Sequence, residues 1–146
     1  MTPHQIELVR QSWASLEPRA PEVVTAFHAR LFELDARVAA LLTQAGLEED
    51  ARRFTQALSA LVESLDDPER FVPILARLGR DHAAIGISAR QYRLFGVALL
   101  ATLQSSLHSS WRSDLRDAWA ETYELAVSIM QRAAVRISGG AGQIPA

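Results

Sequence analysis

Residues 71–87 read Phe71-Val72-Pro73-Ile74-Leu75-Ala76-Arg77-Leu78-Gly79-Arg80-Asp81-His82-Ala83-Ala84-Ile85-Gly86-Ile87. Phe71, Ile74, Leu75 and Leu78 keep the i, i+3, i+4, i+7 spacing of one helix face, and His82 continues the stripe by one turn. Just upstream, Asp67-Pro68-Glu69 supplies a helix start: an Asp cap, a Pro in the first turn and an acid near the positive dipole end. Gly79 and Gly86 are expected to loosen the end of this helix. His82 is therefore carried toward the interior on an apolar wall. A neutral imidazole in that position needs a hydrogen-bond partner or a metal, because an unpaired polar group there costs about 1–3 kcal/mol. A core histidine bonded to backbone, a helix-end cation and a metal ligand all satisfy the spacing.

Helical periodicity extends outward from this segment in both directions, and strand signals are nearly absent. Upstream, Phe54, Ala57, Leu58, Leu61, Val62 and Leu65 form the clearest buried stripe in the chain. Before it lie a break at Gly46, a short helical turn over 35–42, and a helix with Val24, Phe27, His28 and Leu31 inward. Pro18 and Pro21 separate that helix from the first one, which starts in a Thr2/Gln5 capping box and aligns Ile6, Val9, Trp13 and Leu16. Downstream, Ser88 and Gln91 form a second capping box opening a long helix with Tyr92, Phe95, Leu99 and Leu103 inward. The last helix begins at Ser110 or Ser113 and shares Trp119, Thr122, Ala126, Ile129 and Ala133 on one face. The expected fold class is thus all-α, with about seven helices. Their unequal lengths favour crossed packing over a regular four-helix bundle. The expected organisation is one domain over residues 1–137 and a disordered Gly-rich tail over 138–146.

Composition narrows the function. A chain of 146 residues, 49% apolar and 22% charged, builds an ordinary globular core. A net charge of −2 gives no basic field for nucleic acid and no polybasic patch for an anionic membrane. The chain has no cysteine, which excludes disulfides, thiolate metal sites and covalent haem attachment through Cys-x-x-Cys-His, and suits a reducing compartment. No signal-like N-terminus or membrane-length apolar run is present, so the expected location is cytoplasmic. With only four histidines and no zinc-like spacing, a metal site made of side chains alone is disfavoured. One buried imidazole facing a wide apolar pocket is what haem iron requires of a protein.

Several stretches carry a family resemblance. Ile6-Glu7-Leu8-Val9-Arg10-Gln11-Ser12-Trp13 resembles the first helix of bacterial globins and neuroglobins, and Phe27-His28-Ala29-Arg30-Leu31-Phe32 is similar to their second. Leu78 to Ile87 is similar to the proximal helix, and Ala118-Trp119 with Tyr123 to the last helix. The likeness covers residues 3–136 in order, and the chain resembles a bacterial single-domain globin related to the globin domain of flavohaemoglobins. The resemblance implies a three-over-three helical sandwich around a haem b pocket between the fifth and sixth helices, with His82 as the iron ligand. It places Leu78, Ile87, Tyr92 and Phe95 on the proximal side and Phe54 and Leu58 on the distal side. It implies a protein binding a diatomic gas (O2, CO or NO) for oxygen storage or transport, scavenging or sensing, rather than an enzyme. The alternatives are a haem redox enzyme, nitric-oxide dioxygenase or peroxidase, served by an external reductase, and a haem-free globin-like sensor or interaction domain.

The chain departs from the family pattern in specific places. Asp50 stands where a distal His or Gln is usual, and no histidine occurs between residues 29 and 81. A carboxylate beside bound oxygen would repel its partial negative charge, so Asp50 is expected to turn outward or pair with Arg53. Arg53 is expected to contact a haem propionate. His28 replaces an aromatic on the second helix. It is expected to donate a hydrogen bond to the bound gas, with a backbone-bonded histidine and a direct iron ligand as the other readings. Leu41 or Leu42 replaces a Phe that stacks on haem, which favours looser haem binding, and Ala36 replaces a Pro. Tyr92 matches a flavohaemoglobin tyrosine, but Ala133 and Ala134 stand where its partner Glu is expected. No flavin or nicotinamide reductase domain is expected to follow, which argues against a self-sufficient nitric-oxide dioxygenase.

Overall fold

The computed structural model describes residues 1–42 and 46–143, with 39, 47 and 136–143 described in backbone only. Seven α-helices account for nearly all of it: α1 (Pro3–Leu16), α2 (Ala20–Leu34), α3 (Ala36–Leu42), α4 (Leu47–Glu63), α5 (Pro68–Ala84), α6 (Ala89–Leu107) and α7 (Ser113–Gln143), with no strand among the described residues. α1 meets α4 and α4 meets α5 in one layer, while α2 meets α6 and α6 meets α7 in the other. The layers join most closely where α5 crosses α7, with α1 on α7 and α2 on α4 as further crossings. That is the crossed packing the unequal helices suggested, in the three-over-three arrangement the resemblance implied.

The helix starts follow local chemistry. Thr2 Oγ1 accepts from the Gln5 backbone N–H at 3.1 Å, and Gln5 Oε1 accepts from the Thr2 N–H at 2.9 Å, closing the first capping box. Ser88 and Gln91 do the same for α6. α3 needs no proline, because Asp35 Oδ1 accepts from the backbone N–H groups of Arg37 (3.0 Å) and Val38 (3.3 Å). At α5 the cap differs from expectation: Asp67 occupies the cap position, yet its side chain makes no capping bond, leaving Pro68 to set the start. The carbonyl end of α4 is closed from another helix. Arg10 of α1 donates to the Val62 and Glu63 carbonyls at 3.3 and 2.9 Å and to Asp66 Oδ1 at 2.8 Å. The final helix runs to Gln143, past Ser138 where a disordered tail was expected to begin, and 144–146 lie outside the described residues.

The core gathers the stripes predicted from spacing. Val9, Trp13, Leu16, Val24, Leu31, Leu103 and Trp119 are almost wholly buried. Burying two indoles requires acceptors for their N–H groups. Trp13 Nε1 donates to Ser59 Oγ at 3.0 Å, and Trp119 Nε1 donates to Ser12 Oγ at 2.9 Å; Ser12 Oγ in turn donates to the Val9 carbonyl at 2.9 Å. Replacing Ser12 with alanine should strand the Trp119 N–H and lower stability by about 1–3 kcal/mol, seen as a lower urea midpoint. An unchanged midpoint would mean the indole has found another acceptor.

Gly79 does not loosen a helix end. It lies where α5 touches α7, and a Cβ built on it would sit 2.3 Å from the Met130 carbonyl oxygen. The glycine is what permits the two backbones to meet. Gly46 and Gly86, with φ of 98° and 87°, are the positions where a left-handed turn calls for glycine.

Candidate functional site

A cavity of about 440 Å³ opens between the layers, within the range typical of small-molecule and cofactor sites. α4 and α5 form its facing walls, α2 and α3 close one end, and α6 and α7 form its floor. The expected position between the fifth and sixth helices is therefore corrected: the space lies between the fourth and fifth, and the sixth backs it. α6 contributes by burying Tyr92, Phe95 and Leu99 beneath the α5 wall.

His82 lines this cavity from the last turn of α5 and is partly buried. Its Nδ1 lies 2.7 Å from the Leu78 carbonyl oxygen one turn back. A carbonyl can only accept, so the ring proton belongs on Nδ1 and the Nε2 lone pair is left over. No hydrogen bond engages Nε2 among the described residues. Burial lowers the His82 pKa below the ordinary value, only partly offset by the Leu78 hydrogen bond and the nearby Asp81 carboxylate, which favours the neutral ring. Tyr92 lies near-parallel to the imidazole with centroids 6.0 Å apart, and Phe95 meets it edge-on at 6.4 Å. Two aromatic rings and a carbonyl thus fix the orientation of one unprotonated nitrogen. Tyr92 is itself held: Tyr123 Oη donates to its backbone carbonyl, and burial pushes the Tyr92 phenol up to about 12. Ala133, where a partner glutamate was expected, is buried in α7.

On the α4 side the lining is Asp50, Arg53, Phe54, Ala57, Leu58 and Leu61, with Phe27 and His28 from α2. Phe27 stacks at a tilt on Phe54, centroids 4.9 Å apart. His28 is partly buried, and burial lowers its pKa against the opposing pull of Asp50. The expectation for Asp50 is overturned. Asp50 neither turns outward nor pairs with Arg53; its Oδ2 is sealed from solvent, with no hydrogen-bond partner among the described residues. The neighbouring Glu49 bonds Arg52 and accepts from Arg53 Nε at 3.1 Å, which draws Arg53 to Glu49 rather than into a pair with Asp50. Arg53 remains mostly exposed at the cavity edge.

Of the predicted site residues, His82, Leu78, Tyr92, Phe95, Phe54, Leu58, Arg53, Leu42, His28 and Asp50 all line the one cavity. Ile87 does not. Gly86 turns the chain, the Ile87 N–H returns to the His82 carbonyl at 3.0 Å, and the side chain packs half-buried against the core instead. Sequence reasoning missed the floor from α7: Tyr123, Ala126, Val127 and Met130. Their stripe was legible as buried, but nothing in it distinguishes packing against a neighbour from lining a space. Leu41 and Leu42 both reach the cavity, so the position lacking the aromatic is covered twice by smaller side chains.

A mostly apolar cavity with one oriented imidazole nitrogen and no cluster of metal-binding side chains among the described residues fits a planar metal-bearing cofactor better than a bare ion. These are the features of an all-helical haem protein. The globin family model matches residues 21–130, and the chain belongs to the globin family. It is 34% identical over 139 residues to the neuroglobin of Danio rerio, covering 86% of this chain and 87% of that protein. It is likewise 34% identical over 140 residues to the neuroglobin of Tetraodon nigroviridis, with the same coverage. The flavohemoprotein of Chromobacterium violaceum matches at 30% over 122 residues, which is 81% of this chain but 30% of that longer protein. The function is that of a haem-binding globin that takes a gas ligand.

Proposed function

We propose that the cavity holds haem b, that His82 Nε2 is the protein's ligand to the iron, and that a diatomic gas (O2, CO or NO) binds on the opposite side, for storage or transport, scavenging or sensing. The observation that carries this reading is the His82 Nδ1–H bond to the Leu78 carbonyl, which leaves Nε2 as the free nitrogen of a ring lining an apolar cavity. Bound iron supplies the open position for the gas. The chain does the rest: Leu78, Tyr92 and Phe95 hold the imidazole, Phe54, Leu58 and Leu42 exclude water, and Arg53, whose Nε serves Glu49, has its exposed guanidinium end at the edge for a propionate. The absence of cysteine supports a haem held without thioether bonds, in keeping with haem b. It also accords with a cytoplasmic setting, and no helix among the described residues is long and apolar enough to cross a membrane. A bacterial origin is part of this reading and is supported by the likeness to a bacterial flavohemoprotein. Ala133 and Ala134, in place of an acid behind Tyr92, favour ligand binding over a redox cycle driven by an external reductase.

The test is a haem titration followed by optical spectra. A sharp Soret band saturating at one haem per chain, shifting on addition of carbon monoxide, is expected. A spectrum indistinguishable from free haem would overturn the reading and favour a haem-free domain. In the same spectra His28→Ala is expected to keep the ferric bands of the parent, because His28 lines the α2 end rather than the His82 wall. Altered spin-state bands would make His28 an iron ligand.

A further inference from the structure

A second space lies on the outside of the molecule, a groove of about 810 Å³ between the first turns of α6 and the second half of α7. Tyr92, Tyr123 and Val127 line both this groove and the inner cavity, so one layer of side chains separates the two. We propose that the groove binds a small monocarboxylate with an apolar body, its carboxylate accepting from Tyr92 Oη between Arg93 and Arg132. The binding does not rest on the haem reading. Its consequence does: the Tyr92 ring lies near-parallel to the His82 imidazole, centroids 6.0 Å apart, so an occupant of the groove acts on the ring that orients that imidazole.

Tyr92 is only 5% exposed, yet its hydroxyl has no hydrogen-bond partner among the described residues. Nor is that hydroxyl sealed off: the one closed, unpartnered side-chain atom among them is Asp50 Oδ2. A buried phenol that open space still reaches is satisfied by an acceptor from outside. Burial pushes both phenols up, Tyr92 to about 12, so each is a donor at neutral pH. Tyr123 already spends its proton on the Tyr92 carbonyl, which leaves Tyr92 as the donor to be met. Water can meet it; the charges decide what displaces the water. Arg93 makes no ion pair among the described residues, and Arg132 uses Nε and Nη2 on Ser128, leaving Nη1. Glu124 is the one carboxylate in the lining, so two guanidinium groups face one acid in a chain whose net charge is −2. Guanidinium and phenol donors together match a carboxylate. Ala89, Val127 and Val135 supply apolar wall, and Val135 is 68% exposed, a large apolar side chain that a ligand's body would cover. An amine lacks the charge this lining selects, and inorganic phosphate lacks the body.

Tyr92 and Tyr123 are the chain's two tyrosines, so isotope-labelled tyrosine rings followed by NMR report on this groove. The haem-loaded protein in its ferrous carbon monoxide form, with the inner cavity filled, is titrated with benzoate, benzylamine and inorganic phosphate. Millimolar benzoate is expected to shift both ring signals and to saturate, binding about tenfold or more tighter than benzylamine. Replacing Arg93 and Arg132 together by glutamine, or making Tyr92→Phe with Tyr123 as the reporter, should each weaken benzoate by about tenfold while helical circular dichroism is kept. No shift with benzoate, equal binding of benzylamine, or unchanged affinity in the arginine variant would overturn the proposal. Phosphate displacing benzoate at equal concentration would also overturn it, leaving an anion site with no use for an apolar body. Ring shifts that arise on raising protein concentration alone, with a dimer in sedimentation, would give the groove to a second copy of the chain and overturn it too. Should the chain load no haem, the haem reading falls separately. The titration of the protein as purified still decides the groove, because Arg93 and Arg132 line it and not the cavity.

Discussion

A His82→Gly variant is expected to lose haem affinity by more than about 100-fold, above the 10- to 100-fold range typical of losing only an outer-shell partner of a metal ligand. Leu78 accepts the Nδ1 proton at 2.7 Å, Tyr92 and Phe95 confine the imidazole, and burial favours its neutral form. The one group left without a role in packing is the Nε2 lone pair. Removing the side chain deletes that lone pair and leaves the cavity walls otherwise in place, so the apoprotein should still fold and show full helical circular dichroism. Free imidazole added at millimolar levels should re-enter the gap and restore a Soret band. Rescue separates a lost ligand from a collapsed pocket. A glycine variant that binds haem with the parent's spectrum would assign the iron to another residue, with His28 the first to test.

The fold was legible because its helices announce themselves locally: capping boxes at Thr2 and Ser88, prolines at 18, 21 and 68, and stripes at Val9-Trp13-Leu16 and Phe71-Leu75 that the structure buries. His82 was legible for the same reason, since it extends a stripe. Other features depend on partners far away in sequence. The partner of Arg53 is settled by a contest between two carboxylates. The i, i+3 spacing of Asp50 to Arg53 and the i, i+4 spacing of Glu49 to Arg53 are equally good pairings on a helix surface. Glu49 prevails, and it lies within reach of both Arg52 and Arg53. Ile87 was misplaced because a single turn at Gly86 redirects the chain, and the cavity floor from α7 was unseen because a buried stripe looks the same whether it faces atoms or space. Gly79 was misread because a glycine near a helix end has a local meaning, whereas its actual use is a contact with residue 130.

Gly79→Ala is therefore expected to be the most destabilising single-methyl change in the protein. The added Cβ would stand 2.3 Å from the Met130 carbonyl oxygen, 2.6 Å from its Cα and 2.8 Å from its carbonyl carbon. All three are backbone atoms of α7, so no side-chain rotation relieves the clash, and α5 must move away from α7 as a unit. Overpacking costs typically 1–3 kcal/mol and sometimes more, and a rigid backbone contact belongs at the upper end. For a chain of this size that corresponds to a fall in melting temperature of roughly 10 °C. The displacement also reaches the site, because His82 sits one turn beyond Gly79, and Met130, Val127 and Tyr123 line the cavity from the helix being pushed. Haem dissociation should therefore accelerate along with the loss of stability. Gly86→Asn is the comparison: its φ is 87°, nothing lies within 4 Å of a new Cβ, and asparagine tolerates the left-handed region, so a small loss is expected. If Gly79→Ala melts with the wild type while holding haem as firmly, the two helices have more room than their backbones show, and the close crossing does not set the position of the imidazole.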